Sequence, residues 1–278
     1  MKDSSPVEKW YREVADNWTS EQRKSWYSAV ASAYNRTRPR YPKAMISRAL
    51  EIAQLPESAS ILEIGCGPGN ATEAFGELGF RMVSLEPSEA ACQLARQNCD
   101  RYSNVEIKNS SFEEWELEPE RFDGVLAATA FHWVAPERGY PKVTAALKAR
   151  GALILLWNTS AQPPYEVYQM LDEVYQLHAP SLGRYEDRKI QLANLNQFVQ
   201  KVKDSGYFQD WKSEDFPCEV TYSIDDYLAL LSTYSPYIKL ESQQRDLLFA
   251  GLRDTLEKNC GNNIQLSYLS VFQVARKR

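Results

Sequence analysis

The residues best suited to chemistry lie in SILEIGCGPGNATE, residues 60–73. Gly65, Gly67 and Gly69 stand at alternate positions directly after a short apolar run. Glycines at the end of a strand permit positive φ angles and let the backbone approach a ligand closely. The segment therefore predicts a ligand-binding turn between a strand and a helix, suited to either a dinucleotide or a nucleoside.

The spacing of the glycines separates these two ligands. A dinucleotide fingerprint has the spacing G-x-G-x-x-G, whereas this turn has G-x-G-x-G. Glu63, two residues before the first glycine, is poorly placed beside a pyrophosphate and suits a cationic amine. Glu86 follows Gly65 by about twenty residues and can accept hydrogen bonds from both ribose hydroxyls. A ribose and an amine without phosphate describe S-adenosylmethionine, which is the predicted cofactor.

The elements that must position these residues alternate through residues 61–158. Strands are predicted at 61–64, 81–85, 105–108, 122–128 and 152–157, and helices at 71–78, 88–98 and 137–147. Strand–helix–strand alternation predicts a parallel sheet with helices on its faces. Gly151 is expected to mark the end of the last of these helices.

The flanking segments are predicted to be mostly helical. Upstream helices are expected at 25–34 and 41–54 around RTRPRYP, with a further helix at 5–18; downstream helices are expected at 165–177, 192–205, 224–233 and 242–258, with strands at 208–216 and 265–275. The expected fold class is α/β, a Rossmann-like doubly wound sheet with a mostly helical insertion. Three regions are predicted: N-terminal helices over the cofactor site (1–55), a cofactor-binding core (56–158), and a helical cap with the closing strands (159–278).

Motifs in a fixed order resemble those of the class I S-adenosylmethionine-dependent methyltransferases. EIGCGPG looks like their first motif and LEP like their second, and NSSFEEW (109–115) resembles the segment that holds adenine. FDGVLAATAFHWV (122–134) resembles their fourth strand and its loop, and ALKARGALILLWN their following helix and fifth strand. The resemblance implies a seven-stranded sheet whose last strand is antiparallel, and methyl transfer as the activity.

A narrower resemblance covers most of the chain from Tyr27 onward. YNRTRPRYP, AFHWV and TYSPY (233–237) are similar to segments of the trans-aconitate methyltransferase-like group, whose members methylate small molecules. The chain departs from that group at residues 149–150, Ala-Arg, where the family usually has Pro-Gly. This departure is expected to alter only a turn.

The motifs and the resemblance together name the candidate site residues. The expected cofactor-binding residues are Arg38, Glu63, Gly65, Cys66, Gly67, Gly69, Glu86, Pro87, Ser111, Phe112, Ala128 and Thr129. The resemblance implies that Tyr34, Arg38 and Tyr41 reach the cofactor's carboxylate or close over the site. For Phe112, contact with adenine and plain core packing are both open, and Cys66 is expected to be a small residue that fits rather than a nucleophile.

His132 and Trp133 are the candidate catalytic residues because they follow the fourth strand, where the transferable methyl group should point. A carboxylate acceptor needs no base. A hydroxyl, an amine or an acidic C–H needs one, and His132 is then the candidate. Whether His132 acts as a base or only shapes the pocket is open at this stage.

Composition limits the partners. The net charge of −5 gives no basic excess for a nucleic acid, and the first 24 residues have no apolar signal-peptide core. The five cysteines show no metal-type spacing and are expected to be free thiols in a reducing cytoplasm. The expectation is a cytoplasmic monomer or homodimer that uses no metal, does not contact a membrane and acts on a small molecule.

The predicted function is methyl transfer from S-adenosylmethionine to a small-molecule acceptor, with a carboxylic acid as one candidate. Three other functions are weighed: an RNA or protein methyltransferase, a non-catalytic S-adenosylmethionine-binding module, and an NAD-dependent oxidoreductase. The glycine spacing disfavours the oxidoreductase.

Overall fold

The computed structural model describes residues 20–278, so the predicted helix at 5–18 lies outside the described residues. Its strands are β1 (Ser60–Ile64), β2 (Arg81–Glu86), β3 (Val105–Asn109), β4 (Phe122–Ala128), β5 (Leu147–Asn158), β6 (Phe208–Ser223) and β7 (Asn263–Lys277). They form a seven-stranded sheet in the order β3-β2-β1-β4-β5-β7-β6. β1 to β5 are parallel, and β7 runs antiparallel to both β5 and β6. The predicted Rossmann-like sheet with an antiparallel last strand is confirmed.

Helices surround this sheet and extend beyond its carboxyl edge. They are α1 (Ser20–Thr37), α2 (Lys43–Ala53), α3 (Thr72–Glu77), α4 (Glu89–Asn98), α5 (Pro136–Ala146), α6 (Tyr165–His178), α7 (Arg188–Asp204), α8 (Ile224–Ser232), α9 (Ser235–Ile238) and α10 (Ser242–Asn259), with a 3-10 turn at Phe131–Trp133. None of these described helices is both long and apolar enough to cross a membrane.

The central strands are buried on both faces, which is why their sequences are almost continuously apolar. Alternate residues of a strand point to opposite faces. Ile61 of β1 packs in a cluster with Met45 of α2 and Phe75 of α3. Leu62, the next residue, packs in a second cluster with Val143 of α5. The sheet is thus the middle layer of a three-layer core.

A third apolar cluster lies outside this sandwich, in what we call the cap: α6, α8, α9 and α10 with the adjoining ends of β6 and β7. Leu171 of α6, Leu231 of α8 and Leu252 of α10 are buried in it. The cap is assembled from two insertions, one between β5 and β6 and one between β6 and β7. It stands at the carboxyl end of the sheet, above the glycine turn.

Two features differ from the sequence-based expectation. β6 continues to Ser223 and pairs with β7 as far as Asn263, well beyond the strand predicted at 208–216. The prediction that Gly151 ends a helix is wrong, because α5 ends at Ala146 and Gly151 lies within β5. The residue with a left-handed φ in this segment is Arg150, at 62°, and not Gly151.

Candidate active site

The glycine turn leaves the carboxyl end of β1, between β2 and β4. Gly65 and Gly67 have φ values of +67° and +55°. A Cβ on Gly65 would lie 2.8 Å from the Cβ of Ala130, so the turn reaches the end of β4 only because residue 65 is glycine. A Cβ on Gly67 would meet nothing closer than the ring of Tyr34, 4.0 Å away. The backbone of the turn therefore faces open space.

The carboxylate of Glu86, at the end of β2, fixes this turn. The N–H of Gly67 donates to Oε2 (2.9 Å) and the N–H of Ser88 donates to Oε1 (2.8 Å). Glu86 is 7% exposed. Burial raises the pKa of this carboxyl group, and the two backbone N–H groups act in the opposite direction. A carboxylate oxygen can accept two hydrogen bonds. Oε1 and Oε2 of Glu86 can therefore each accept one more, from a ligand hydroxyl.

Ser111 and Phe112 lie just after the carboxyl end of β3, which neighbours β2 in the sheet. Phe112 lines the cavity and also stacks on Trp115, with ring centroids 6.1 Å apart. Contact with a ligand and core packing are therefore compatible for this ring. The hydroxyl of Ser111 donates to Oε2 of Glu114 (2.9 Å), so donation to adenine requires this bond to break.

The end of β4 turns sharply into the 3-10 turn. Thr129 has a φ of 53°, and its N–H donates to the carbonyl oxygen of Leu156 in β5 (2.7 Å). Its Oγ1 lies 2.8 Å from the hydroxyl of Tyr41. Contacts from β5 and from the segment between α1 and α2 thus hold Thr129 in a conformation that is uncommon for a β-branched residue. The turn places Ala128, Thr129 and His132 on one wall of the cavity.

His132 lies among aromatic rings. The ring centroids of Trp133, Trp157 and Phe198 are 5.2, 5.7 and 5.7 Å from that of His132. Burial, together with the smaller effect of the positive charge of Arg38, lowers the pKa of His132 to about 3. The imidazole is therefore neutral near pH 7 and is a weak proton acceptor.

Arg38 joins the end of α1 to the cap. Its Nε donates to Oγ1 of Thr233 and its Nη2 donates to the carbonyl oxygen of Thr233, both at 2.8 Å. The guanidinium carbon lies 4.9 Å from the ring centroid of Tyr34 and 4.0 Å from that of Tyr234. Arg38 therefore closes one side of the site by holding two segments together.

One cavity of about 530 Å³ connects these residues. The predicted site residues that line it are Arg38, Gly65, Gly67, Glu86, Pro87, Ser111, Phe112, Ala128, Thr129, His132 and Trp133. Glu63, Cys66 and Gly69 are not among its lining residues.

Glu63 lies beneath the glycine turn and is fully buried. The hydroxyls of Thr72 and Ser84 donate to its Oε2, at 2.6 and 2.9 Å. Its Oε1 has no hydrogen-bond partner in the described part of the chain. Burial raises the pKa of this carboxyl group to about 7. These contacts tie the start of α3 to β2, and direct contact with a cationic amine stays a prediction.

Cys66 and Gly69 belong to the glycine turn but face the protein interior and do not line the cavity. Cys66 is 5% exposed, and burial raises the pKa of its thiol well above the usual range, which does not favour a nucleophile. Gly69 has a φ of +93°, and a Cβ there would lie 3.4 Å from the backbone of Ala95 in α4. All five cysteines are free in the structure.

Tyr34, which the resemblance names together with Arg38, lines the cavity, but most of the other tyrosines there are not singled out by the sequence. They are Tyr27, Tyr168, Tyr175, Tyr227, Tyr234 and Tyr237. The hydroxyls of Tyr175 and Tyr237 are 2.7 Å apart. These residues come from α1 and from several cap segments, so no local spacing reveals them. Only the TYSPY motif gave a signal for Tyr234 and Tyr237.

The strand order, the glycine turn and the acid that ends β2 agree with the fold and the motif order of the class I S-adenosylmethionine-dependent methyltransferases. Residues 61–151 match the family described as "Methyltransferase domain". The cofactor of this class is S-adenosylmethionine. Within residues 20–278, no group of three His, Cys, Asp or Glu residues could hold a metal ion.

Comparison with known proteins agrees with this class. An uncharacterized methyltransferase of Mycobacterium bovis is 32% identical over 133 residues, covering 48% of this chain and 52% of that protein. Trans-aconitate 2-methyltransferase of Variovorax paradoxus is 28% identical over 142 residues, covering 50% of this chain and 52% of that protein. The chain thus spans about half the length of these two curated relatives.

A solved structure shares the fold. A proposed type II methyltransferase from Anaeromyxobacter dehalogenans superposes with a TM-score of 0.62 at 19% identity. The match covers 86% of this chain and 97% of that one. At this identity the likeness supports the fold alone.

Proposed function

We propose that the chain transfers a methyl group from S-adenosylmethionine to a small-molecule carboxylate. One observation carries this proposal: the cavity that begins at the glycine turn continues into the tyrosine-lined cap, and the predicted base within it, His132, is buried and neutral. An acceptor that is already deprotonated fits such a site, because no proton has to be removed from it.

The residues present fit the cofactor. The open side of Gly67 leaves room for a ligand against the backbone of the turn. Glu86 would accept hydrogen bonds from the ribose hydroxyls, and Phe112 would lie beside the adenine. Pro87 and Ser111 border the same part of the cavity. S-adenosylmethionine supplies a methyl group on a sulfonium centre that is reactive without further activation.

The task left to the protein is alignment in a dry pocket. Proximity and orientation can supply ~7–11 kcal/mol of the barrier to such a transfer. We propose that α1 and the cap exclude water, and that the bonds from Arg38 to Thr233 hold them together over the cavity. Trp133 would support this closure, since its ring meets that of Tyr27 edge-on at 6.0 Å.

The cap offers hydrogen-bond donors to an anionic acceptor. The hydroxyls of Tyr175 and Tyr237 share one hydrogen bond, which uses one proton and leaves the second available to a ligand. Burial raises the pKa of both phenols, so both stay protonated near pH 7. The similarity to trans-aconitate 2-methyltransferase, whose name denotes a carboxylic acid substrate, supports the same acceptor class.

The cofactor is tested by calorimetric titration with S-adenosylmethionine, S-adenosylhomocysteine and NAD. Gly67→Arg should abolish binding of the first two because its side chain would enter the cavity, and Glu86→Ala should weaken it about tenfold or more. Gly79→Arg is the matched control. Gly79 has a φ of +88°, has no heavy atom within 4 Å of an added Cβ and lies outside the cavity. Binding of NAD alone would contradict the proposal.

The acceptor is tested by incubation with S-adenosylmethionine carrying a labelled methyl group and a panel of small carboxylic acids, amines and phenols. A carboxylate acceptor gives a base-labile methyl ester. Tight cofactor binding without turnover of any acceptor would indicate a non-catalytic binding module. Label found in RNA or protein would overturn the small-molecule proposal.

A further inference from the structure

A second cavity, of about 690 Å³, lies at the amino ends of the parallel strands β4 and β5. We call it the basal groove. It is bordered by the end of α2, the start of β5 at residues 148–151, the bulge of β6 at residues 209–212, and the end of β7. The active-site cavity lies at the carboxyl ends of β1, β2 and β4, so the two cavities are at opposite ends of the parallel strands. Nothing in the methyl-transfer proposal uses the basal groove.

The basal groove is positive on a negatively charged protein. Its lining contains five cationic residues, Lys148, Arg150, Lys212, Arg276 and Lys277, and two acidic residues, Asp123 and Asp210. The whole chain has a net charge of −5. A local concentration of positive charge in a concave surface attracts anions strongly.

Ion pairs neutralise only part of this charge. Nζ of Lys148 lies 2.9 Å from Oδ1 of Asp123, and Nζ of Lys277 lies 3.8 Å from Oε1 of Glu120. The ion pairs recorded among residues 20–278 do not include Arg150, Lys212 or Arg276. Asp210 offsets one of these three cations, which leaves an excess of about two positive charges.

Backbone contacts hold one of these cations, Arg276, at the groove. Nη1 of Arg276 donates to the carbonyl oxygen of Arg150 (3.3 Å), and its Nη2 donates to that of Ile52 (3.5 Å). Arg276 thus joins the start of β5 to the end of α2. Arg150 has a left-handed φ of 62°. An arginine therefore occupies a strained position at the rim of the basal groove, where glycine would be easier to accommodate.

We infer that the basal groove binds a small polyphosphate, a ligand with at least two phosphate groups. Guanidinium groups match phosphate oxygens in fork geometry, and lysine adds a point charge. The groove of about 690 Å³ is larger than a single phosphate group, and a polyphosphate carries more negative charge than a monophosphate, which has about −1.5 to −2 near pH 7, so it can contact more of the five cations at once. The net negative charge of the rest of the surface disfavours a long nucleic acid, which would extend beyond the groove.

The inference is tested by calorimetric titration of the full chain with pyrophosphate and tripolyphosphate, with orthophosphate in parallel. Both polyphosphates should bind, more tightly than orthophosphate, and more weakly as sodium chloride is added. Arg150→Gly and Lys212→Ala should each weaken binding about tenfold or more. Arg150→Gly removes a cation while suiting the local φ, and Lys212 is exposed, so both variants should fold.

Two control variants locate the binding. Lys258→Ala removes an exposed cation that lines neither cavity, and Arg184→Ala removes one from the active-site cavity. Neither should change polyphosphate affinity. The inference is overturned if polyphosphates do not bind at low salt, if Arg184→Ala abolishes binding, or if only a long RNA binds. The assay involves no methyl transfer, so its result is independent of the proposed function.

Discussion

Arg38 donates both of its cap-directed hydrogen bonds to a single residue, Thr233, which is 195 positions away in the sequence. One bond ends on the side-chain Oγ1 and the other on the carbonyl oxygen. Thr233 is fully buried, and its hydroxyl donates in turn to the carbonyl oxygen of Leu230 (2.6 Å). The contact therefore links the segment after α1 to the C-terminal end of α8 through a buried network.

Thr233→Val should lower the free energy of unfolding by about 1–3 kcal/mol, because the guanidinium of Arg38 loses a buried acceptor and Leu230 loses a donor. Urea denaturation measures this change. Thr144→Val is the matched control, since its hydroxyl bonds only within α5, to the carbonyl oxygen of Tyr140. An equal loss in both variants would mean that the Arg38 contact contributes nothing beyond a local hydrogen bond.

His132 should leave no inflection in the pH–rate profile between about pH 6 and pH 8, because its pKa is lowered to about 3. His132→Asn should retain kcat within about tenfold, while loss of a general base costs about 10²- to 10⁴-fold. The measurement is kcat/KM against pH with a carboxylate acceptor. An inflection near pH 6.5 that disappears in His132→Asn would identify His132 as a base.

The α/β core could be predicted closely from the sequence. The apolar runs that became β1, β2 and β4 are short, buried on both faces and separated by helical patterns, so their order specified the topology. The far half of β6 was missed because its residues alternate between exposed and half-buried positions and include few strongly apolar ones. Its pairing with β7 supplies the stabilisation that its local pattern does not show.

The residues of the candidate site likewise fall into those that the sequence could place and those that it could not. Residues at the ends of the parallel strands, such as Glu86 at the end of β2 and Thr129 directly after β4, could be placed from motif order alone. The tyrosines of the cap could not, because Tyr175 and Tyr237 meet only when α6 and α9 pack together. Glu63 shows a third case, since its position under the turn was predictable and its exclusion from the cavity was not.

Glu63→Gln should change how stability depends on pH. The pKa of Glu63 is raised from 4.5 to about 7, so the folded state favours the protonated carboxyl group. That contribution is fully present below about pH 4.5 and is lost as the pH rises through about 7. The free energy of unfolding of Glu63→Gln minus that of the wild type should therefore rise by about 3 kcal/mol between about pH 5 and pH 8.

Denaturant titrations at several pH values measure this difference. Glu57→Gln, an exposed acid outside both cavities, serves as the control and should show little dependence on pH. A parallel course for wild type and Glu63→Gln would mean that Glu63 is ionised at little cost in the folded protein.

Arg150→Gly should stabilise the protein even though it removes a side chain. Arg150 has a φ of 62°, where a residue with a Cβ is strained by about 1 kcal/mol relative to glycine. Part of this gain is offset because glycine raises the entropy of the unfolded chain, so we expect a net rise of about 0.5 kcal/mol in the free energy of unfolding.

The neighbouring residue supplies the control for this prediction. Ala149 is exposed and is not among the described residues with positive φ, so Ala149→Gly should destabilise the protein by about 0.5–1 kcal/mol. Thermal and urea unfolding of the two variants should therefore shift in opposite directions. If Arg150→Gly also loses stability, the arginine side chain contributes more through its contacts than its backbone conformation costs.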